Sequence, residues 1–128
     1  MLDSLTISFI GSGTMAEAMI RGLLNRHLIA PERIIASGPR PERGEELQRR
    51  YGVRWTTDNR EAAQAADIVV LSIKPQVLPA VLMELSGTIR PDQLVLSIVA
   101  GARIEYIAQA LSHRAIVRVM PNTPAQIG

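Results

Sequence analysis

The chain has 128 residues, with a formal charge of +2 and no cysteine. That is the length of one domain able to bury its own core, and it excludes a disulfide framework or a thiolate metal site. The small charge and four aromatic residues (Phe9, Tyr51, Trp55, Tyr106) argue against nucleic acid as a partner. No apolar run approaches the length of a membrane helix and no basic, apolar leader opens the chain, so a cytoplasmic location is expected. Leu5 to Ile10 reads as a strand ending at glycine. Met15, Met19 and Leu23 beside Ala16, Ile20 and Leu24 give the next segment a broad apolar helix face. Ile34 to Ser37 is a second strand. Pro41 to Arg50 is a solvated helix with Leu47 its main inward residue, and Val53 to Thr56 a short third strand. Glu61 to Ala66 reads as helix. Ile68 to Leu71 is a continuous β-branched run, as in a strand covered on both faces. Pro75 opens a helix whose apolar face is Val77, Leu78, Val81, Leu82 and Leu85, with Pro79 in or near its first turn. Leu94 to Ile98, a helix from Ile104 to Leu111 and a strand from Ala115 to Val119 follow. Strand and helix alternate throughout, so the expected fold is α/β: a doubly wound Rossmann-type parallel sheet of about six strands with helices on both faces.

Gly11-Ser12-Gly13-Thr14-Met15-Ala16 lies between the first strand and first helix. This G-x-G-x-x-A pattern is a dinucleotide fingerprint: Gly11 for the turn, Gly13 for close approach of a pyrophosphate, Ala16 for helix–strand packing. Free N–H groups and the positive end of the helix dipole would face the phosphates. NAD sites place an acid at the end of the second strand. Here that end is Ser37, and no acid occurs between Glu32 and Glu42. The turn instead carries Ser37, Gly38, Arg40 and Arg43, a hydroxyl and guanidiniums suited to a 2′-phosphate, so NADPH is favoured and NADH remains possible. Of 14 basic residues, Lys74 is the one lysine. It falls just past the fourth strand, on the edge where ligands sit in open α/β sheets, and a compact ammonium there differs in kind from an arginine fork. His27 and His113 read as cations near helix ends, Asp58 and Asp67 as caps or surface groups, and Met15 and Met19 as core. No metal site is expected.

With the glycine loop, the segments Ser72-Ile73-Lys74-Pro75, Ser97-Ile98-Val99-Ala100-Gly101 and Met120-Pro121-Asn122-Thr123-Pro124 resemble the N-terminal half of the pyrroline-5-carboxylate reductase family. The resemblance covers essentially the whole chain and makes residues 1–128 a dinucleotide-binding domain. It implies that Ile10, Gly11, Ser12, Gly13, Thr14 and Met15 contact the pyrophosphate, that Ser37 and Arg40 face the 2′-phosphate, and that Asn59 contacts the cofactor. Ser72, Ile73, Lys74 and Pro75, with Ile98, Val99 and Ala100, would lie beside the nicotinamide, and Asn122 and Thr123 on the substrate side. The implied reaction reduces the small-molecule imine 1-pyrroline-5-carboxylate to L-proline. Family members hold substrate and oligomerise through a C-terminal helical domain, which these 128 residues lack, so no catalytic proton donor is assigned. Other readings that share such a first half are a 3-hydroxyacid dehydrogenase, a deazaflavin-dependent NADP reductase and a stand-alone nucleotide sensor. The Lys74-Pro75 and Asn122-Thr123-Pro124 segments count against the first two.

Overall fold

The structure is a computed structural model and describes residues 4–119. In chain order its elements are β1 (Ile7–Ile10), α1 (Thr14–Asn25), β2 (Ile34–Ser37), α2 (Pro41–Tyr51), β3 (Arg54–Thr56), α3 (Asn59–Ala65), β4 (Ile68–Leu71), α4 (Leu78–Leu85), β5 (Leu94–Ser97), α5 (Ile104–Leu111) and β6 (Ile116–Arg118). The strands form one sheet in the order β3-β2-β1-β4-β5-β6, and all five pairings are parallel. Strand order reverses between β1 and β4, which stand side by side with Ile7 opposite Ile68 and Ile10 opposite Leu71. The carboxyl ends of these two strands therefore open a crevice at the switch point.

Alternation along the strands divides the apolar residues between two cores. Phe9, Ile34, Ala36 and Val70 face α1 and α2, where they meet Ile20 and Leu47. Ile10, Ile35, Val69, Leu71 and Val95 face α3 to α5, against Ala62, Ala63, Leu82, Leu85 and Ile107. The small side chains of Ala62 and Ala63 are fully buried. On α2, Gly44 faces the Trp55 ring, and a Cβ added at Gly44 would lie 2.6 Å from ring carbons.

Several polar groups take roles different from those expected. The Asp67 carboxylate accepts from Thr6 N at 2.8 Å and pins the approach to β1, which begins two residues later than the apolar run. Asp58 does cap α3, accepting from the N–H groups of Arg60 and Glu61, so that helix starts before Glu61. His113 follows the end of α5, as expected, but is buried there, its Nε2 2.7 Å from the Gln93 carbonyl oxygen. His27 lies beyond α1 with φ of 53°. Gln93 donates from one amide to the carbonyls of both Ala63 and Ala66 at 2.6 Å, closing the C-terminal end of α3. Met15, expected in the core, is 38% exposed, and Val77, expected on the buried face of the fourth helix, is 44% exposed. Met15 lies on the first turn of α1, at the mouth of the crevice, and Val77 falls in a 3-10 turn, Pro75–Val77, that precedes α4.

Candidate dinucleotide site

The glycine loop joins β1 to α1, and neighbouring strands dictate its shape. Gly11 has φ of +107°, and a Cβ there would lie 2.6 Å from the Ser72 carbonyl oxygen and 2.7 Å from Ile73 Cγ2. Its N–H donates to Ser37 O at 2.9 Å. The Ser72 hydroxyl donates to Gly11 O at 2.7 Å, and Ser72 N donates to Ile10 O at 2.9 Å. Gly38 abuts the loop from the other side, where a Cβ would collide with Ser12 Oγ. Gly13 differs from all of these. It caps α1 in an extended conformation, and a Cβ added to it meets nothing within 4 Å. The space above Gly13 is open, and among the described residues neither its N–H nor that of Thr14 donates a hydrogen bond. Ala16 is fully buried beneath the loop. Ile10 is fully buried too, and its carbonyl is taken by Ser72, so it shapes the loop from within and its side chain does not face the crevice.

On the β2 side, the Ser37 hydroxyl is completely buried and donates to Asn59 Oδ1 at 2.6 Å, while Asn59 Nδ2 donates to Glu84 Oε1 at 2.8 Å. The hydroxyl is thus engaged in setting Asn59 and is not a free donor for a phosphate. Asn59 and Glu84 border a cavity of about 730 Å³, walled otherwise mainly by apolar groups of Pro39, Ile73, Val77 and Val81. Sequence reading missed the α4 part of this wall. Its signal is the helical spacing of Val77, Val81 and Glu84. An acid does therefore stand near Ser37 in space, but it comes from α4 and not from the turn after β2.

Arg40 is exposed at the start of α2, where its carbonyl accepts from Arg43 N and Gly44 N, and its guanidinium has no hydrogen bond or ion pair among the described residues. It shares a polar cleft of about 550 Å³ with Gly13, Thr14 and Arg43. Arg43 is occupied. Its Nε donates to Ser12 O at 2.6 Å and its Nη2 to Gly13 O at 3.2 Å. The same guanidinium pairs with Glu17 and Glu46, each at 2.8 Å. Glu17 also accepts from the Tyr51 hydroxyl and from Arg50. The Tyr51 hydrogen bond, with those from the arginines, pulls the Glu17 carboxyl from its ordinary 4.5 to about 2.

The β4 and β5 ends complete the edge. Lys74 and Pro75 are exposed where the 3-10 turn begins, and the Lys74 ammonium has no partner among the described residues. Ile98 and Val99 are buried, Val99 N donating to Ser97 Oγ at 3.2 Å, and Ala100 is exposed beyond them. The structure brings Gly11 to Met15, Ser37, Asn59, Ser72 to Pro75 and Ile98 to Ala100 to one edge of the sheet. Asn122 and Thr123 lie outside the described residues.

The family model described as NADP oxidoreductase, coenzyme F420-dependent, matches residues 6–101, from the approach to β1 to just beyond β5. The chain belongs to this family. Among curated relatives of this NADP oxidoreductase domain, the pyrroline-5-carboxylate reductase of Synechocystis is 44% identical over 126 residues, which are 98% of this chain and 46% of the relative. That of Escherichia coli K12 is 38% identical over 122 residues, 94% of this chain and 45% of the relative. A solved pyrroline-5-carboxylate reductase from Coxiella burnetii superposes with a TM-score of 0.86 at 34% identity, covering 98% of this chain and 47% of its own. The Plasmodium falciparum pyrroline carboxylate reductase with NADP bound gives 0.81 at 28% identity, covering 98% and 45%. The chain spans under half the length of the relatives it matches. Prephenate dehydrogenase from Aquifex aeolicus, at 17% identity and a TM-score of 0.78, shares the fold.

Proposed function

We propose that this chain is the NADPH-binding part of a cytoplasmic pyrroline-5-carboxylate reductase. The observation that carries the reading is the open cradle at Gly13: two unspent N–H groups at the start of α1, free space where a Cβ would stand, and a switch-point crevice beneath. The residues present fit a dinucleotide. Gly13 and Thr14 would hold the pyrophosphate, and the cavity beside Asn59 is of a size and polarity for the adenosine. Arg40 would meet the 2′-phosphate. Ser72 to Pro75 and Ile98 to Ala100 would border the nicotinamide, with Ser72 acting through the Gly11 carbonyl and not by direct contact. When bound, the reduced nicotinamide supplies hydride to the imine carbon of pyrroline-5-carboxylate, and the nitrogen takes up a proton.

Calorimetric titration with NADPH tests the reading on the unaltered chain and on Gly13→Val. The substitution adds a side chain into open space, so the unfolding midpoint should hold while the affinity is lost. Unchanged affinity in the valine variant would place the phosphates elsewhere. The description of the matching family favours a second reading, in which the hydride partner is a deazaflavin and not an imine. Both readings use the same NADP cradle. They separate in an assay of NADP-linked absorbance with each partner in turn, once the rest of the protein is present.

A further inference from the structure

The guanidinium of Arg43 borders the same cleft as Gly13 and Thr14, and there it holds two successive carbonyls, those of Ser12 and Gly13, the second of which also accepts from Glu17 N at 3.0 Å. A planar trans peptide points its C=O and N–H in opposite directions. The peptide groups whose oxygens turn down to Arg43 are the ones that carry the N–H of Gly13 and of Thr14. Fixing the oxygens therefore aims both hydrogens away from the guanidinium, and neither meets an acceptor among the described residues. We propose that Arg43 is a positioning residue of the anion cradle, acting on a bound phosphate through the backbone of the loop and not by touching it. The inference rests on the dinucleotide reading given above.

Two features of the surroundings fit this role. The side chain leaves only 18% of its surface exposed, and its fork is already committed to Ser12 O, Gly13 O, Glu17 and Glu46. A group so engaged has little left to offer a 2′-phosphate, in contrast to Arg40 one helical turn earlier. The conformation of Arg43 is in turn set from α2 and α1 together. Glu17 and Glu46 grip it, and Arg50 reaches both carboxylates, at 3.1 Å each, to close a ring of alternating charge. A rotamer-rich side chain held by two carboxylates meets the loop already ordered, and a planar fork can bridge two carbonyls where an ammonium takes one.

The test compares the unaltered chain with Arg43→Met and Arg43→Lys, each titrated with NADPH and with NADH. Both nucleotides share the pyrophosphate, so Arg43→Met should weaken them by one common factor of about tenfold, the scale of a charged hydrogen bond, and leave their ratio unchanged. Arg43→Lys, which keeps charge but not the fork, should recover part of the loss. Amide ¹⁵N order parameters at Gly13 and Thr14, measured without ligand, should fall in Arg43→Met while those at Ile20 in the same helix stay fixed. Unaltered affinities, or a loss confined to NADPH, would overturn the proposal, since the latter is the signature of direct 2′-phosphate contact. Should the unaltered chain bind neither nucleotide, the proposed function falls. The order parameters still decide the role of Arg43, and unchanged values at Gly13 and Thr14 would refute it. Where Arg43→Met does not fold, the same readings on Arg43→Lys decide.

Discussion

Two arginines three positions apart, on the same turn of sequence, have opposite fates. Arg40 precedes α2 and projects from its start without a partner among the described residues, whereas Arg43, one turn in, reaches across to α1. Only the first is free to recognise a ligand by charge. Arg40→Ala should therefore reduce affinity for NADPH by roughly 10- to 150-fold, as for one charged hydrogen bond, and leave NADH nearly unaffected. Paired titrations of the two nucleotides check this, and an equal loss for both would remove Arg40 from the 2′-phosphate site. Glu84 lies on the neighbouring Asn59 cavity, where its charge would also act on a nucleotide bound as proposed. The turn after β2 offers both Arg40 and Arg43 as guanidiniums, and only the family resemblance singled out Arg40. Their separation depends on the angle at which α2 docks, which local pattern does not encode. Glu84 was out of view for a related reason: it is 47 residues downstream of Ser37 and arrives through Asn59.

At the scale of elements, α1 and α2 are joined by a charged seam, Glu17 with Arg43, Arg50 and Tyr51, and Glu46 with the same two arginines. Glu17 is 12% exposed and titrates at about 2 in the folded chain against an ordinary 4.5. A carboxyl depressed by folding stabilises the protein fully above its unfolded value, and that contribution is lost as pH falls from 4.5 towards 2. Glu46 is lowered in the same direction by Arg43. Urea unfolding at pH 6 and pH 3 should show the loss, on the order of 1–3 kcal/mol from Glu17 after solvent screening. In Glu17→Gln the dependence over that interval should flatten, and an unchanged slope would mean that the seam does not couple to folding. The elements themselves were readable. All six strands and five helices occur in the expected order, with shifted bounds at β1, α3, α4 and β6, because a parallel sheet covered on both faces demands continuous apolar runs in β4 and β5. What escaped reading were the polar fastenings between elements. Gln93 to Ala63 and Ala66, His113 to Gln93 and Asp67 to Thr6 join residues 20 to 61 positions apart, and their side chains carry no periodic mark.

For the whole molecule, strand order determines what the domain can do without help. The order 3-2-1-4-5-6 gathers the glycine loop, the Asn59 cavity and the Lys74 turn on one edge. On the proposed reading these groups hold the dinucleotide, but reduction also requires the imine to be held within about 3–3.5 Å of the donor and water to be excluded. The chain spans under half of the reductases it resembles. The 128-residue polypeptide alone should accordingly bind NADPH yet oxidise it at a small fraction of the rate of a full-length relative when given pyrroline-5-carboxylate. A coupled absorbance assay measures this, and turnover within tenfold of the relative would mean that the described edge already contains the reactive geometry. The dinucleotide half was legible from the glycine loop in its strand–helix setting. The substrate side was read only by resemblance, from Asn122 and Thr123, which lie outside the described residues.

Parallel strands lie about 4.8 Å apart, so the three steps from β2 through β1 and β4 to β5 measure about 14 Å. Both ends of that interval are fixed: Ser37 and Asn59 mark one, Val99 and Ala100 the other, and the glycine loop is tied to its neighbours by Gly11 N to Ser37 O and by the Ser72 hydroxyl. The sheet is in this sense a gauge. A dinucleotide held as proposed would span the scale, and a mononucleotide would reach one end of it. Because backbone ladders rule the gauge and cannot stretch without breaking, the two ends of the proposed site would keep one separation whatever the side chains between them.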